Sequence, residues 1–446
     1  MQREAHRRLR RGRRLPAGAY MRRCIMRVAY VSQAYAPVRG GSEWVAQQLS
    51  ERSLARGHVV RVFTSTAQHD VGFTDPTAPS MRAGEDQVNG VPITRFPIRF
   101  GLQRVCQAGR LAARLPVARI RESLDAHARG PALRGIAGAV AAWQPDVAVA
   151  VPASSSVLVY TLAARRRARG NLAVVTIPCF HAFDPTSNHP AVISRIARAD
   201  AVIVFTTHER DELVAQGVSR DRVTVAGLGV DPTPLDDDEA LSHDFRAKYN
   251  VGRSPLIAFV GRKQRYKGVW FLIEAMQQVW QWVPDVRLVV AGGRTIESPH
   301  MQRELGYMPR HCQARIIWID DFADEDKRSI LAAADVIALP SLHESFGLVY
   351  LDAWLHKKPV IGCRLGSTTS LVDDEVDGLL VTFEDHRGLA RAVLRLMAAP
   401  ALRARMGEAG YRKLLRHYTW GAVIDRYEQA YAEAANHARA ERRRTA

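Results

Sequence analysis

Short β-rich runs alternate with segments of helical periodicity along most of this chain. The runs predict strands at residues 26–33, 59–65, 146–151, 172–178, 201–205, 222–226, 256–261, 286–293, 315–319, 335–340 and 359–362. Apolar residues at helical spacing predict helices at residues 43–56, 269–282, 324–333, 346–356 and 420–440. Strands that alternate with helices imply parallel sheets covered on both faces, so we predict an α/β fold with two doubly wound domains.

One break in this alternation divides the chain. Residues 231–241 hold two prolines and an acidic run, which indicates a linker whose Asp236, Asp237 and Asp238 carry ordinary linker charge. A chain of 446 residues also exceeds one ordinary domain. We predict an N-terminal Rossmann-like domain at 26–235, a C-terminal domain at 236–418 and a final helix at 419–446. Residues 66–92 are rich in Gly, Pro, Asp and Thr and are predicted to be a loop.

The charge of the chain is strongly basic and unevenly spread. The formal net charge is +18, and residues 1–25 hold nine arginines against one glutamate. A basic surface implies an anionic partner such as a phosphorylated substrate, an acidic membrane or nucleic acid. The head at 1–25 lacks the apolar core of a signal peptide. It is interpreted as a disordered tail, a start site placed too early, or an arm for membrane or RNA.

The cysteines give no sign of a metal or disulfide framework. Five are scattered along the chain and no CxxC pair occurs. This usage fits a reducing compartment, and we expect a cytoplasmic protein. The longest uncharged run, 147–164, contains Pro152 and a serine triplet, so it is interpreted as strand, loop and helix start instead of a membrane span.

Three segments at predicted strand ends carry the candidate chemistry. In the first, Gly40 and Gly41 follow strand one, where they either let a ligand approach a helix N-terminus or simply form a capped turn. The second, 261–268, places four basic side chains after a strand and is either a phosphate-binding loop or a solvated basic loop. In the third, Glu344 precedes a helix and Asp352 lies eight residues on, either facing a polyhydroxylated ligand or serving as a cap and a surface acid.

The ordered set of motifs resembles the family 4 retaining glycosyltransferases of the GT-B fold, also called glycosyl transferase group 1. The resemblance runs from Met26 to the C-terminal helix. The motifs that carry it, in that family's order and spacing, are GGSEW, RGHVV, VGRKQRYKG, ADVIALPS, ESFGLVYLDAW and DGLLV. It implies two Rossmann-like domains that face a cleft, with the nucleotide-sugar donor on the C-terminal domain and the acceptor on the N-terminal one.

The resemblance also implies roles for individual residues. Arg262 and Lys267 would bind the donor diphosphate, Glu344 would hold sugar hydroxyls, and His181 would lie beside the reacting sugar. Gly41 would place its amide near the donor diphosphate, and Asp352 would bind the ribose. The remaining donor-binding residues that it implies are Gly40, Ser345, Phe346, Gly347 and Leu348. No metal or cofactor is expected, because the two cations and a helix dipole can stabilise the departing diphosphate.

The chain departs from the family's pattern at four places. Asp352 replaces a glutamate, Gly366–Ser370 replaces a Gly-Gly-x-x-Glu loop, Asp321 stands where a glycine is usual, and Leu228 replaces an asparagine. The first of these shortens the acid meant for the ribose by one methylene, and the second removes an acidic side chain from the cleft. These departures bear on the identity of the donor.

We expect a retaining hexosyltransferase that acts without metal on a glycan, lipid-linked or small-molecule acceptor in polysaccharide or glycolipid synthesis. The arginine-rich stretch 99–134 suggests that the protein associates peripherally with the anionic inner face of the cytoplasmic membrane. The basic head at 1–25 would contribute to this association. The alternative for this stretch is a helix face packed on the domain. No nucleic-acid partner is expected. The alternative functions are another GT-B activity (phosphorylase, epimerase or sucrose-phosphate-type synthase) and a catalytically silent binding partner.

Overall fold

The fold is built on two sheets of mainly parallel strands, each covered by helices. The computed structural model describes residues 25–38, 40–73, 75–101, 127, 130–168, 172–181, 184–232, 235–295 and 297–445. The strands of the first sheet are β1 (Arg27–Ser32), β2 (Val59–Ser65), β3 (Gly84–Val88), β4 (Val91–Phe96), β5 (Val147–Val151), β6 (Ala173–Thr176), β7 (Ala201–Val204) and β8 (Val223–Val225). The helices described with them are α1 (Gly41–Ala55), α2 (Ile136–Ala142), α3 (Val157–Arg167), α4 (Pro190–Ile196) and α5 (Thr207–Ala215).

The first sheet has the strand order β3-β4-β2-β1-β5-β6-β7-β8. Its neighbouring strands are parallel except β3, which pairs antiparallel with β4 at the edge. The central strand β5 reads VAVAV, and every one of its side chains is buried. This burial on both faces follows from the helices that cover a parallel sheet.

The second sheet is parallel throughout and has the strand order β11-β10-β9-β12-β13-β14. Its strands are β9 (Leu256–Val260), β10 (Arg287–Gly292), β11 (Ile316–Asp320), β12 (Val336–Leu339), β13 (Val360–Cys363) and β14 (Gly378–Val381). The helices around it are α6 (Asp238–Lys248), α7 (Val269–Trp282), α8 (Ser298–Tyr307), α9 (Arg310–Gln313), α10 (Asp324–Ala333), α11 (Leu348–Leu355), α12 (Thr368–Leu371), α13 (His386–Ala398) and α14 (Pro400–His417).

The last helix, α15 (Trp420–Thr445), packs on the first sheet although it follows the second in sequence. The Tyr427 hydroxyl donates to the Gly227 carbonyl at 2.8 Å, and the Tyr431 hydroxyl lies 3.3 Å from that of Tyr30. The chain crosses between the sheets where Val230 and Thr419 form a parallel bridge. The two sheets are therefore connected by two adjacent crossing segments of the chain, and α15 returns to pack on the first sheet.

The predicted strands are confirmed with small shifts of their ends, and the predicted doubly wound fold is confirmed as well. The loop prediction for 66–92 is wrong between residues 84 and 92, where β3 and β4 form a hairpin. Periodicity did not reveal β3 because Gly84 to Gln87 are exposed at the sheet edge. In β4, by contrast, Val91 and Ile93 are buried and alternate with half-buried residues.

The linker prediction for 231–241 is wrong at its acidic end. Helix α6 begins at Asp238, and its first turn is acidic. A helix N-terminus stabilises nearby carboxylates because its unpaired amides carry partial positive charge. Asp238 also contacts His356 Nδ1 at 2.7 Å, and Asp237 contacts Arg328 at 2.7 Å. Asp237 and Asp238 therefore tie the start of α6 to α10 and to the end of α11 instead of serving as solvated linker charge.

The predicted membrane contacts fall largely outside the described residues. The head at 1–24 and most of the basic stretch 99–134 are not described. Across the ranges that are described, none of the helices has the length and apolar character needed to cross a bilayer. Peripheral association through these two segments stays a prediction.

Candidate active site

The candidate site lies where the second sheet reverses its strand order. Strands β9 and β12 are neighbours, and the chain continues from β9 to β10 on one side of the sheet and from β12 to β13 on the other. In open α/β sheets, ligands bind beyond the carboxyl ends of the strands at such a point. Gly268 allows the close approach of these loops, because a Cβ at this position would lie 2.1 Å from the Pro340 carbonyl oxygen. The basic loop 261–268 and the segment around Glu344 are thereby brought together.

The structure separates the four basic side chains of the loop 261–268. Lys263 is fully buried, forms an ion pair with Asp320 and lies over the Trp318 ring at 4.6 Å. Arg265 is bound by Glu304 at 2.7 Å. Lys263 is therefore enclosed within the second domain, and Arg265 is held by an acid of α8. The phosphate-binding interpretation of the loop therefore concerns Arg262 and Lys267, the two residues to which the resemblance assigns the diphosphate.

Arg262 and Lys267 are the basic side chains of the loop 261–268 that remain directed at the cleft. Arg262 is exposed and donates to the Tyr266 hydroxyl at 3.0 Å. Lys267 Nζ donates to Glu344 Oε2 at 2.8 Å, with both side chains largely buried. An ammonium and a carboxylate thus lie side by side at the switch point. One can contact a phosphate and the other can accept hydrogen bonds from hydroxyls.

The segment between Glu344 and α11 presents backbone amides to the same place. Gly347 precedes the helix in the left-handed region with φ of 96°, and a Cβ there would lie 2.5 Å from Tyr350 Cδ2. Phe346 is buried and contacts the rings of Phe205 and Tyr418 at 6.1 and 5.9 Å. These contacts fix the first turn of α11, whose unpaired N–H groups favour an anion. Ser345 and Leu348 complete the segment.

Asp352 lies in the second turn of α11, eight residues after Glu344. Its carboxylate forms an ion pair with Lys327 of α10, and its side chain is 18% exposed. The sequence did not predict this partner, because Lys327 belongs to a helix distant along the chain. A ribose hydroxyl that bound Asp352 would have to share the carboxylate with Lys327.

His181 faces Glu344 and Lys267 from the first domain. It follows β6 and lines a pocket with Phe180, His208 and Glu209 of its own domain and with Leu342, His343, Glu344, Gly366 and Ser367 of the second. Burial lowers the pKa of His181 because it disfavours the imidazolium, and the nearby Lys267 and Arg262 charges act in the same direction. The environment of His181 therefore favours the neutral imidazole.

The two domains touch directly beside this pocket. Thr206 Oγ1 lies 3.2 Å from Ser367 Oγ, and Ser370 Oγ accepts from the Thr207 hydroxyl at 3.0 Å and from the His208 amide at 3.2 Å. Ser367 and Ser370 belong to the segment Gly366–Ser370 that replaces the family's acidic loop. Hydroxyl contacts between the domains therefore occupy the place of the missing carboxylate.

Gly40 and Gly41 lie at the N-terminus of α1, as the cap and the first helical residue. The sequence prediction overlooked their neighbour Glu43, whose buried carboxylate accepts from Gln33 Nε2 and from the Ser42 hydroxyl, both at 2.9 Å. A Cβ on Gly40 would lie 2.2 Å from Glu43 Oε2. The glycine accommodates the acid, and a carboxylate thus lies next to Gly41, whose amide the resemblance assigns to the diphosphate.

Glu209 was also overlooked, although it is part of a recognisable pattern. Thr206 and Glu209 have the T-x-x-E spacing of a capping box at the start of a helix. The Thr206 hydroxyl accepts from the Glu209 amide at 3.1 Å, as this pattern predicts. No three His, Cys, Asp or Glu side chains converge as metal ligands anywhere in the part of the chain that the structure describes.

Comparison with known proteins agrees with this architecture. Residues 40–229 match the model of the glycosyl transferase 4-like domain, and residues 254–399 match that of glycosyl transferases group 1. Among solved structures, HepE from Anabaena in complex with UDP and glucose has a TM-score of 0.67 and 18% identity, covering 91% of this chain and 99% of that one. Sucrose-phosphate synthase from Thermosynechococcus elongatus has a TM-score of 0.68 and 22% identity, covering 92% and 98%.

Curated relatives share sequence over about half of the chain. The D-inositol 3-phosphate glycosyltransferase of Xylanimonas cellulosilytica is 34% identical over 247 residues, which are 53% of this chain and 58% of that protein. The alpha-maltose-1-phosphate synthase of Mycolicibacterium smegmatis is 29% identical over 257 residues, which are 54% and 65%. Each match spans less than two thirds of the relative's length.

The fold and the arrangement of the cleft define a protein of the GT-B class, with two doubly wound sheets facing each other. Within that class, the chain belongs to the group 1 glycosyltransferases. The resemblance noted from the ordered motifs is thereby confirmed.

Proposed function

We propose that the chain is a glycosyltransferase that moves a hexosyl group from a nucleoside-diphosphate sugar to an acceptor hydroxyl with retention of configuration. The contact between Lys267 Nζ and Glu344 Oε2 at 2.8 Å, opposite His181, is the observation that carries this proposal. It joins a phosphate-binding group to a hydroxyl-binding group at the point where open α/β sheets take ligands. The solved GT-B relative in complex with UDP and glucose supports a nucleotide-sugar donor.

The donor would lie along the second domain. Its diphosphate would contact Arg262, Lys267 and the amides at the start of α11, and its sugar hydroxyls would reach Glu344. The ribose would then approach Asp352. When the bond between the anomeric carbon and the phosphate oxygen breaks, negative charge grows on the diphosphate. Cations and amides already in place stabilise that charge without reorganising, so the transition state gains more than the ground state.

The acceptor hydroxyl would attack from the face of the sugar that the diphosphate leaves. Its oxygen forms the new bond to the anomeric carbon, and its proton passes to the departing phosphate oxygen. This route retains configuration and needs no enzyme nucleophile. A neutral His181 beside the sugar can accept or donate a hydrogen bond without adding charge, since burial lowers its pKa. Arg262 and Lys267 supply the positive charge that a metal would otherwise provide.

The acceptor is best sought among small phosphorylated molecules. Two curated relatives are named a D-inositol 3-phosphate glycosyltransferase and an alpha-maltose-1-phosphate synthase. A phosphorylated acceptor also suits a chain with a net charge of +18. Glycan and lipid-linked acceptors form the second group to test.

A donor and acceptor panel tests this proposal. UDP-, GDP- and ADP-sugars would be mixed in turn with inositol phosphate, glucose phosphates and an oligosaccharide, and release of nucleoside diphosphate would be followed with and without acceptor. We expect release that depends on acceptor, is unchanged by EDTA and gives a product with the donor's anomeric configuration. Interconversion of sugars without acceptor, or phosphorolysis of a glycan, would favour the other GT-B activities. Donor binding without turnover by any pair would favour a silent binding protein.

A further inference from the structure

Glu209 is a buried acid in the cleft that the proposed reaction does not use. It lies in the first turn of α5 and is 1% exposed. Its Oε1 accepts from the Phe180 amide at 2.9 Å, and its Oε2 accepts from the Phe205 amide at 2.8 Å. One carboxylate thus ties together the segments that leave β6 and β7.

The segment after β6 carries His181. Phe180, whose amide Glu209 holds, is the residue immediately before it. Ser187 Oγ secures the other side by accepting from the His181 amide at 3.3 Å and donating to the His181 carbonyl at 2.9 Å. Cys179 adopts the left-handed region with φ of 50°, which non-glycine residues rarely occupy unless their surroundings hold them there. The backbone around His181 is therefore fixed at three consecutive residues.

The burial of Glu209 exceeds what helix capping requires. A capping glutamate normally reaches back to its own N-cap at the surface, where its charge stays solvated. Glu209 bonds the amides at the start of its own helix and also reaches the Phe180 amide of a different segment, and burial raises its pKa to about 7 even though these backbone amides favour the charged form. Cys179 and Tyr427 of α15 also face this charge. An unfavourable buried carboxylate is expected to persist where a function depends on it.

We propose that Glu209 is a positioning residue that holds His181 against the donor sugar by anchoring the Phe180 amide. That His181 lies against a donor sugar rests on the proposed function, whereas its anchoring by Glu209 does not. The same helix turn contacts the second domain, because Thr206 caps Glu209 and lies 3.2 Å from Ser367. His181 is thereby placed relative to both domains.

The pKa of His181, measured by NMR of histidine-labelled protein, reports its position independently of turnover. The charges that act on the His181 imidazole come from Lys267, Glu344, Asp184 and Arg262. Substitution of Glu209 should therefore change the His181 pKa mainly because the imidazole, once its backbone is released, becomes less buried. In Glu209→Gln the side-chain NH2 group can only donate, so the two backbone N–H groups of Phe180 and Phe205 no longer each have a carboxylate oxygen as acceptor. We expect the His181 pKa to rise toward its ordinary value. The matched control is Glu212→Gln, one turn along the same helix, which should leave it unchanged.

Turnover gives the second readout. We expect Glu209→Gln to lower kcat by about 10²-fold, as small misplacements at a reacting centre do, while the donor KM stays within about twofold. Glu209→Asp, which keeps the charge, should recover part of kcat. If Glu209→Gln does not fold, Ser187→Ala removes the neighbouring anchor and should raise the His181 pKa in the same direction.

The two readouts separate the positioning role from the proposed function. An unchanged His181 pKa in folded Glu209→Gln protein, or in Ser187→Ala where Glu209→Gln does not fold, would overturn the positioning role, even in an active transferase. A raised His181 pKa in a protein that transfers no sugar from any donor would uphold the anchoring and refute the proposed function. Equal loss of kcat in Glu209→Gln and Glu212→Gln would also overturn the positioning role.

Discussion

The helix N-termini that follow the first strand of each sheet occupy the same topological place, but side chains of opposite charge lie beside them. After β1, the glycine pair leads into α1, and the buried Glu43 lies beside Gly40. After β9, Arg262 and Lys267 face the cleft. Both loops precede a helix at a point where strand order reverses, so topology alone would make either of them a phosphate site. Side-chain chemistry distinguishes them.

The difference assigns a ligand type to each wall of the cleft. A carboxylate at a helix N-terminus already satisfies the partial positive charge there and repels a second anion. We therefore propose hydroxyls or one neutral group for the loop after β1 and the diphosphate for the loop after β9. Substitutions that alter one wall and leave the other intact test this division.

Lys267→Ala should have the largest effect on transfer. It removes a cation that faces the growing charge of the leaving group, and loss of one such group typically lowers kcat by about 10²- to 10³-fold. Steady-state kinetics with the preferred donor measures this. Arg265→Ala is the control in the same loop, since Glu304 already binds Arg265. Comparable losses in both variants would show that the loop acts through general charge.

Glu344→Gln should lower kcat/KM by about 10- to 100-fold, because a hydrogen bond to a charged group contributes about 1.5 to 3 kcal/mol. The change also leaves Lys267 without its carboxylate partner, so binding of free nucleoside diphosphate should not weaken. Measuring kcat/KM for the sugar donor and the inhibition constant of the diphosphate separates these terms. A weaker diphosphate with unchanged sugar transfer would reverse the assignment of the two groups.

Asp352→Ala should weaken donor binding by about 2- to 10-fold, in the range of one hydrogen bond of ordinary strength. The effect is limited because the carboxylate already pairs with Lys327. Lys327→Met frees the carboxylate and should leave donor binding equal or stronger. Unaltered donor affinity in Asp352→Ala would remove the ribose role and leave the sugar role of Glu344 intact.

Glu43→Gln should have the smallest effect on the donor. The change removes the negative charge at the α1 N-terminus and keeps the size of the side chain, so diphosphate affinity should stay within about twofold if the diphosphate binds only at the other wall. Calorimetric titration measures this affinity. A gain of tenfold or more would indicate that the loop after β1 also contacts the diphosphate, as the family resemblance implied for Gly41.

The sequence predicted the parts of the site that lie on adjacent strands. Arg262, Lys267 and Glu344 follow β9 and β12, and strand ends are visible in the hydrophobic pattern. It did not predict which basic side chains are neutralised, because Lys263 and Arg265 find their acids on β11 and α8. The anchoring of Phe180 by Glu209 was missed for the same reason, since it joins two loops that meet only in the folded sheet.

Calorimetric titration of the wild-type protein and of the Arg262→Ala/Lys267→Ala double variant with UDP, GDP and ADP tests the diphosphate site most directly. We predict that at least one nucleoside diphosphate binds the wild-type chain and that its affinity falls by at least about 10²-fold in the double variant, while Glu43→Gln and Arg265→Ala bind it normally. Undiminished binding to the double variant would contradict the assignment of the diphosphate to the loop after β9.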